Sequence, residues 1–310
     1  HQITGAYSLV IVTNKKLIGV RDPYGIRPLV LGDKDGSPVL ASETCALDMI
    51  GAKYIRDVEN GEILIITENG IESIKPFKKT KERPCIFERI YFASPDSIVG
   101  GKTVYTYRKS LGEQLSIENN ISADVVVPIP DSGVSAAIGF SQKSNIPFEL
   151  GIIRSHYVGR TFIEPSQTIR QFGVKLKHSV NRSCIENKRV ILIDDSIVRG
   201  TTASKIVKMV YEAGAKEVHL GISCPPIKHP DFYGIDTPNY NELIASHANI
   251  EEMTKLVGAK SLFFLSLEGT YKAMGCEERN TMNPQFTDHC FTGEYPIDVS
   301  EILKLNSKNG

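Results

Sequence analysis

The sequence predicts an α/β protein: an open parallel, doubly wound sheet preceded by a mostly β segment. Three observations carry this expectation. From about Arg89 onward, short and nearly continuous apolar runs alternate with stretches of helical spacing. Runs of that kind belong to strands buried on both faces under helices. Before that point the apolar runs are separated by turn signals instead of helices. Finally, the greasy run Val190 to Ile193 stops at two adjacent carboxylates, Asp194 and Asp195, and turns through a polar loop into a helix.

The first segment offers short apolar runs at Ala6 to Val12, Lys16 to Val20, Leu29 to Leu31, Val39 to Ala41 and Ile63 to Ile66. Thr13-Asn14, Asp35-Gly36, Asn60-Gly61 and Asn69-Gly70 punctuate them as turns. One short helix is expected at Cys45 to Ile50. The charged, Pro-bounded stretch from Lys75 to Pro84 reads as a linker. Beyond it, Tyr107, Leu111 and Leu115 fall on one helical face. Strands are expected at Asp124 to Val127, Phe148 to Ile153, Val190 to Ile193, Val218 to Ile222 and Leu262 to Leu265. Helices are expected at Val134 to Phe140 and Ala203 to Ala213, the second stopped by Gly214. Asn249 and Glu252 make a capping box for a helix ending near Gly258.

Composition narrows the function classes. The 310 residues suffice for two domains, and 36 Lys plus Arg balance 36 Asp plus Glu. Zero net charge argues against a nucleic-acid partner gripped by a basic face. There is no apolar run of membrane-spanning length and no signal-peptide pattern, so no membrane role is expected. The six cysteines, Cys45, Cys85, Cys184, Cys224, Cys276 and Cys290, form no CxxC pair. A disulfide framework or zinc site is not expected, and a cytoplasmic setting fits.

The acidic pair raises the chemical question, because neighbouring like charges repel and need hydroxyl or cationic company. Ligands of open parallel sheets sit beyond the carboxyl ends of the strands. The loop Ser196, Val198, Arg199, Gly200, Thr201, Thr202 supplies backbone amides, hydroxyls and one guanidinium at a helix start, which suits an anion. The carboxylates can accept from a diol or hold a divalent cation. A sugar phosphate meets both demands. A solvated strand end with a helix cap is the bland alternative, but it accounts for one Asp better than for two. The stretch Val125 to Ala137 repeats the strand, loop, helix order, with Ser132 and Gly133 in the loop; alone it is an ordinary turn and N-cap. Some thirty residues between Arg154 and Arg189 show no clear strand and mix Tyr157, Phe162 and Phe172 with Arg160, Arg170, Lys175, Lys177 and Arg182. Loops of that length inside a domain are lids or disordered segments.

The run DDSIVRGTT, Asp194 to Thr202, resembles the 5-phosphoribosyl 1-pyrophosphate (PRPP) signature of type I phosphoribosyltransferases. Flanking stretches narrow the resemblance to the glutamine amidophosphoribosyltransferases, which open purine synthesis. These are RDPYGIRPLVLG (Arg21 to Gly32), ASETCALD (Ala41 to Asp48), YVGRTFIEPSQTIRQ (Tyr157 to Gln171), HPDFYGID (His229 to Asp236) and CFTGEYP (Cys290 to Pro296).

The resemblance implies a type I phosphoribosyltransferase domain over 85–270, preceded over 1–84 by the C-terminal part of an Ntn-type α+β glutaminase domain with its linker. Residues 271–310 would be a C-terminal extension. It implies formation of phosphoribosylamine from PRPP and ammonia. PRPP would be held by Asp194, Asp195, Ser196, Val198, Arg199, Gly200, Thr201, Thr202, Ser132 and Gly133. Mg²⁺ would lie near Ser132, Asp194 and Asp195, and the catalytic residues would be Asp194, Asp195, Arg160 and Tyr157. The long insertion would cover PRPP and carry ammonia. Where the family commonly reads Lys-Asn-Arg-Tyr, this chain has Arg154-Ser155-His156-Tyr157. Purine nucleotides are expected as feedback inhibitors and a homo-oligomer as the assembly.

The family releases ammonia from glutamine with an N-terminal Cys nucleophile. This sequence opens at His1, directly onto a strand pattern, and its first Cys is Cys45. The expectation is a processed or truncated chain, with glutamine used through a segment outside it. Some members hold an iron–sulfur cluster on four Cys. Cys85 matches the first, but Asp231, Pro284 and Thr287 stand at the others. No cluster is expected, and Cys85 and Cys290 read as buried free thiols. Two rival readings are a non-enzymatic PRPP-binding regulator and a base-salvage phosphoribosyltransferase. The first lacks a basic helix-turn-helix at its start; the second does not account for the glutaminase-like first segment.

Overall fold

Alternation of core-facing side chains organises the first part of the chain. The structure, a computed structural model, describes residues 3–155, 178–237 and 239–300. Its contacts group into two compact units that interleave along the sequence. The first is His1–Tyr105, His229–Asn239 and Arg279–Gly310; the second is Thr106–Lys228 and Tyr240–Glu278. The three-part division expected above follows likeness along the chain, whereas these units follow packing.

In the first unit β1 (Ser8–Val12), β2 (Leu17–Arg21), β3 (Val30–Lys34), β4 (Ser37–Ala41), α1 (Thr44–Ile50), β5 (Lys53–Asp57), β6 (Ile63–Thr67) and β7 (Gly70–Ile74) follow in order. They build two antiparallel sheets, β1-β2-β6-β7 and β4-β3-β5. Successive residues of a strand face opposite ways. Leu29 and Leu31 accordingly pack with Val58, Leu64 and Ile66, while Val30 packs with Leu47 of α1 and Ala52. Strands β5 and β7 escaped the sequence reading because their residues are mostly exposed and show no apolar run.

The RDPYGIRP stretch is a structural knot. The buried Arg21 guanidinium donates to the carbonyls of Arg27 (2.9 Å), Val58 (2.7 Å) and Gly25 (2.9 Å). The Asp22 carboxylate accepts from the backbone N–H of Tyr24, Ile26 and Arg27. A short hairpin, β8 (Ile98–Val99) and β9 (Lys102–Thr103), closes the segment.

In the second unit α2 (Val104–Glu118) leads into β10 (Val125–Pro128) and α3 (Val134–Ser144). Tyr107, Leu111 and Leu115 form the buried stripe of α2, as expected. A Cβ at Gly112 would stand 1.8 Å from the carbonyl oxygen of Ala136, and one at Gly139 1.9 Å from that of Lys109. The two helices therefore touch backbone to backbone, which only glycine permits.

The expected strand Phe148 to Ile153 is not continuous. Phe148 makes an isolated parallel bridge with Val126, and the chain then turns into β11 (Ile152–Arg154), which pairs antiparallel with β12 (His178–Val180). The Glu149 N–H still donates to the Val126 carbonyl at 3.0 Å, but the Gly151 N–H turns back to the Glu149 carbonyl and Leu150 is exposed, so the run leaves the sheet after one bridge.

The rest follows as α4 (Arg182–Ile185), β13 (Arg189–Asp194), α5 (Thr201–Glu212), β14 (Glu217–Ile222), α6 (Ile244–His247), α7 (Ile250–Val257), β15 (Ser261–Phe264) and α8 (Leu267–Ala273). The strands form one parallel sheet in the order β10-β13-β14-β15. Val190 to Ile193 are fully buried, and α5 covers the sheet with Ala203, Ile206, Val207 and Val210. The capping box at Asn249 and Glu252 is present, with Gly258 at the C-cap in the left-handed region.

Candidate active site

Strand β13 ends at Asp194, at the carboxyl edge of the sheet where such folds place ligands. From there the chain runs through Asp195 and the loop Ser196 to Gly200 into α5. Asp194, Ser196, Ile197, Val198, Arg199, Gly200, Thr201, Thr202 and Ala203 line one cavity of about 220 Å³. Gly200 is the N-cap of α5 with φ 76°, a left-handed conformation that glycine adopts without strain. The sequence-predicted loop thus forms a single concave wall at the positive end of a twelve-residue helix.

The acids have different partners. Asp194 Oδ1 accepts from the N–H of Asp195 (2.9 Å) and from the Ser132 hydroxyl (3.2 Å). Asp195 is buried and accepts from the Ser196 hydroxyl. Burial, and then the neighbouring Asp195 carboxylate, push the Asp194 pKa well above the ordinary carboxylate range. The Cys224 thiol is also buried, and burial followed by the field of both acids pushes its pKa up. A site that strains its carboxylates in this way is suited to a ligand bringing donors or positive charge.

The second loop is brought against the first. The Ile129 N–H donates to the Ile193 carbonyl (2.9 Å), and the Gly133 N–H to the Ile129 carbonyl (3.0 Å). A Cβ at Gly133 would stand 2.2 Å from the Ile193 carbonyl oxygen. Gly133 therefore serves close approach to β13, and that approach carries Ser132 onto Asp194. Sequence reasoning named Ser132 and Gly133 by resemblance; the packing brings them beside Asp194 and the end of β13.

Two side-chain pairings near the site were not anticipated. Arg154, at the end of β11, forms an ion pair with Asp131 of the second loop. Glu242, in a turn of 3₁₀ helix at Tyr240–Glu242, accepts from Arg199 Nε at 2.5 Å. Neither pairing has a sequence signal, since the partners lie far apart in the chain. Tyr157, Arg160 and the other residues of 156–177 lie outside the described residues; the last part of the anticipated insertion, expected to hold no strand, forms β12 and α4, with Arg182 opening α4.

A Phosphoribosyl transferase domain model matches residues 109–233, which include both loops. The amidophosphoribosyltransferase of Rhizobium etli is 59% identical over 315 residues, covering 100% of this chain and 62% of that relative. That of Bacillus subtilis is 48% identical over 303 residues, covering 98% of this chain and 63% of that relative. The solved glutamine PRPP amidotransferase of B. subtilis, complexed with ADP and GMP, superimposes with a TM-score of 0.89 at 49% identity. It matches over 95% of this chain and 65% of that one.

The chain belongs to the amidophosphoribosyltransferase family. It spans between three fifths and two thirds of the length of these relatives. The fold class read from the sequence stands: a type I phosphoribosyltransferase sheet preceded by an α+β segment of the Ntn glutaminase kind.

The iron–sulfur cluster of some amidophosphoribosyltransferases does not fit the residues here. Cys85 is buried and its pKa is pushed up to about 12, first by burial and then by Asp231. Thr287 bridges backbone to backbone with Cys85. Asp231 is occupied by His289, whose Nε2 lies 2.8 Å from Asp231 Oδ2, and by the N–H groups of Tyr233 (2.7 Å) and Ile235 (3.0 Å). The His289 ring packs on Tyr233 and Tyr295, both at 4.9 Å between centroids. One protonated thiol and a committed carboxylate are not a cluster's ligand set.

Proposed function

We propose that this chain forms 5-phosphoribosylamine from PRPP and ammonia, the first step of purine biosynthesis. The observation that carries the proposal is the meeting of Asp194, Ser132 and the Ser196 to Thr202 loop around one cavity at the N-terminus of α5. The 5′-phosphate goes to the loop amides and the Thr201 and Thr202 hydroxyls. Asp194 and Asp195 accept from the ribose hydroxyls. The Ser132 and Gly133 loop faces the pyrophosphate, and Arg160 and Tyr157 are assigned by family likeness to the cover over it.

Mg²⁺ fits the hard oxygen set of Asp194, Asp195 and Ser132. Among the described residues no group of three or more acidic, His or Cys side chains is set to hold a metal ion. The cation would therefore come with substrate oxygens and water, as Mg²⁺ at phosphate sites does, and would offset the pyrophosphate charge. As C1 parts from pyrophosphate, the protein's part is to hold the ribose and leaving group in line and to supply fixed donors. Ammonia is already nucleophilic, so no strong general base is required.

We further propose purine nucleotides as inhibitors, a homo-oligomer, a cytoplasmic enzyme, and a division into a partial glutaminase domain with linker over 1–84, a phosphoribosyltransferase domain over 85–270 and a C-terminal extension over 271–310. The ADP and GMP bound to the B. subtilis enzyme support the first. Among the described residues no helix is long and apolar enough to cross a membrane.

The test is pyrophosphate release from PRPP by a monodisperse preparation supplied with ammonium chloride and Mg²⁺. The expected rate follows the concentration of NH₃ and not of NH₄⁺, so it rises with pH at fixed total ammonium. A folded, monodisperse chain that releases no pyrophosphate under these conditions overturns the reading.

A further inference from the structure

Arg199 stands in the wall of the cavity, yet its side chain is more than half exposed. A long, free arginine there carries about 2 kcal/mol of rotamer entropy that an incoming phosphate must suppress. The structure shows a device that suppresses it beforehand. Both Nε and Nη2 of Arg199 engage one carboxylate oxygen of Glu242. These contacts use the Nε–Nη2 edge of the guanidinium, which leaves the Nη1 donors for an anion.

Glu242 is itself carried on a fixed base. Leu243 and Ile244, the next two residues, are buried. The Ile244 N–H donates to the Val198 carbonyl at 2.9 Å, inside the loop. A Cβ at Gly200 would stand 3.1 Å from Ile244 Cδ1. The segment from Tyr240 to His247 thus grips the loop on both sides of Arg199 from forty residues away. An exposed ion pair of this kind adds at most about 1 kcal/mol to stability. Its consequence is where the charge of Arg199 is held.

We propose that Glu242 is a positioning residue for PRPP, acting through Arg199. It holds the guanidinium ready for the ligand's phosphate and so lowers the ordering cost of binding. The inference rests on the PRPP reading of the cavity. It predicts a split effect: Glu242→Ala raises the PRPP KM and Kd about fivefold and leaves kcat and the melting temperature near wild type.

The decisive measurement is a four-protein cycle by calorimetry with PRPP and Mg²⁺: wild type, Glu242→Ala, Arg199→Ala and the double variant. The expected result is a fivefold loss from Glu242→Ala in the wild-type background and none in the Arg199→Ala background. The same loss in both backgrounds means that Glu242 acts by another route and overturns the proposal, as does no loss in either. If the Arg199→Ala and wild-type proteins bind PRPP alike, Arg199 is not a contact and the proposal also falls. A folded wild-type chain that binds no PRPP sinks the functional reading, and the inference with it.

Discussion

Asp194→Asn is expected to make the protein more stable and unable to hold PRPP. The amide keeps an oxygen where Asp194 accepts from Ser132 and from the Asp195 N–H, so no buried donor loses its partner. What disappears is a negative charge that burial and Asp195 both disfavour. The sign follows from linkage. The folded-state pKa is raised, so the contribution of Asp194 is fully present below the ordinary carboxylate pKa and is lost as pH rises through the raised value. At neutral pH the wild type therefore bears a cost that the variant does not. A relief of about 1 kcal/mol corresponds to a rise of about 2–4 °C in melting temperature for domains of 150–250 residues. The gain should shrink as pH falls into the ordinary carboxylate range. PRPP affinity should fall by two orders of magnitude or more, roughly the loss of a charge-assisted pair of about 3 kcal/mol. A lower melting temperature for the variant at pH 7, or unchanged PRPP affinity, contradicts this account. Strain that disappears on removing a functional group is a common signature of a binding site.

The second large effect lies in the first unit and concerns stability alone. Asp231→Asn leaves His289 buried beside a neutral amide. Losing the contact of the Asp231 carboxylate with the imidazole costs about 1.5–3 kcal/mol, and here both partners are almost wholly enclosed. Burial alone would raise the Asp231 pKa, but His289 and the N–H groups of Ile235 and Tyr233 outweigh it and the pKa is lowered. The stability from Asp231 is therefore present above the ordinary carboxylate range and is lost as pH falls through the lowered value. Urea unfolding should show a lower midpoint for the variant at neutral pH and convergence with the wild type in acid. The effect should reach the segments held around the pair, where the Tyr233 hydroxyl donates to the Ile297 carbonyl and the Tyr295 hydroxyl to the Pro230 carbonyl. Amide exchange there should accelerate first. A variant within about 0.5 kcal/mol of wild type, as for an ordinary surface change, contradicts the role given to the pair.

The parallel sheet was legible because its strands are buried on both faces and so read as apolar runs. Val190 to Ile193 and Val218 to Ile222 are the clearest cases. The loop of the candidate site was legible because its chemistry is local: acids, hydroxyls, glycine and helix start lie within nine residues, Asp194 to Thr202. What depends on distant partners was not. Strands β5 and β7 are exposed and carry no period. The Phe148 run looks like a strand, but Leu150 faces solvent and the chain turns away after one bridge. The grip of Glu242 on Arg199 and of Arg154 on Asp131 joins residues 43 and 23 positions apart. His229 to Asp236 and Cys290 to Pro296 were seen as family stretches; that Asp231 and His289 meet is a fact of folding.

The central claim is that the loop after β13 is a PRPP site built on two carboxylates. Its most direct test is calorimetric titration of PRPP with Mg²⁺ into the wild-type chain and into the Asp194→Asn, Asp195→Asn double variant, both shown to be folded and monodisperse. The account predicts saturable binding of one PRPP by the wild type and no measurable binding by the variant. Near-equal affinity in the two proteins would contradict it.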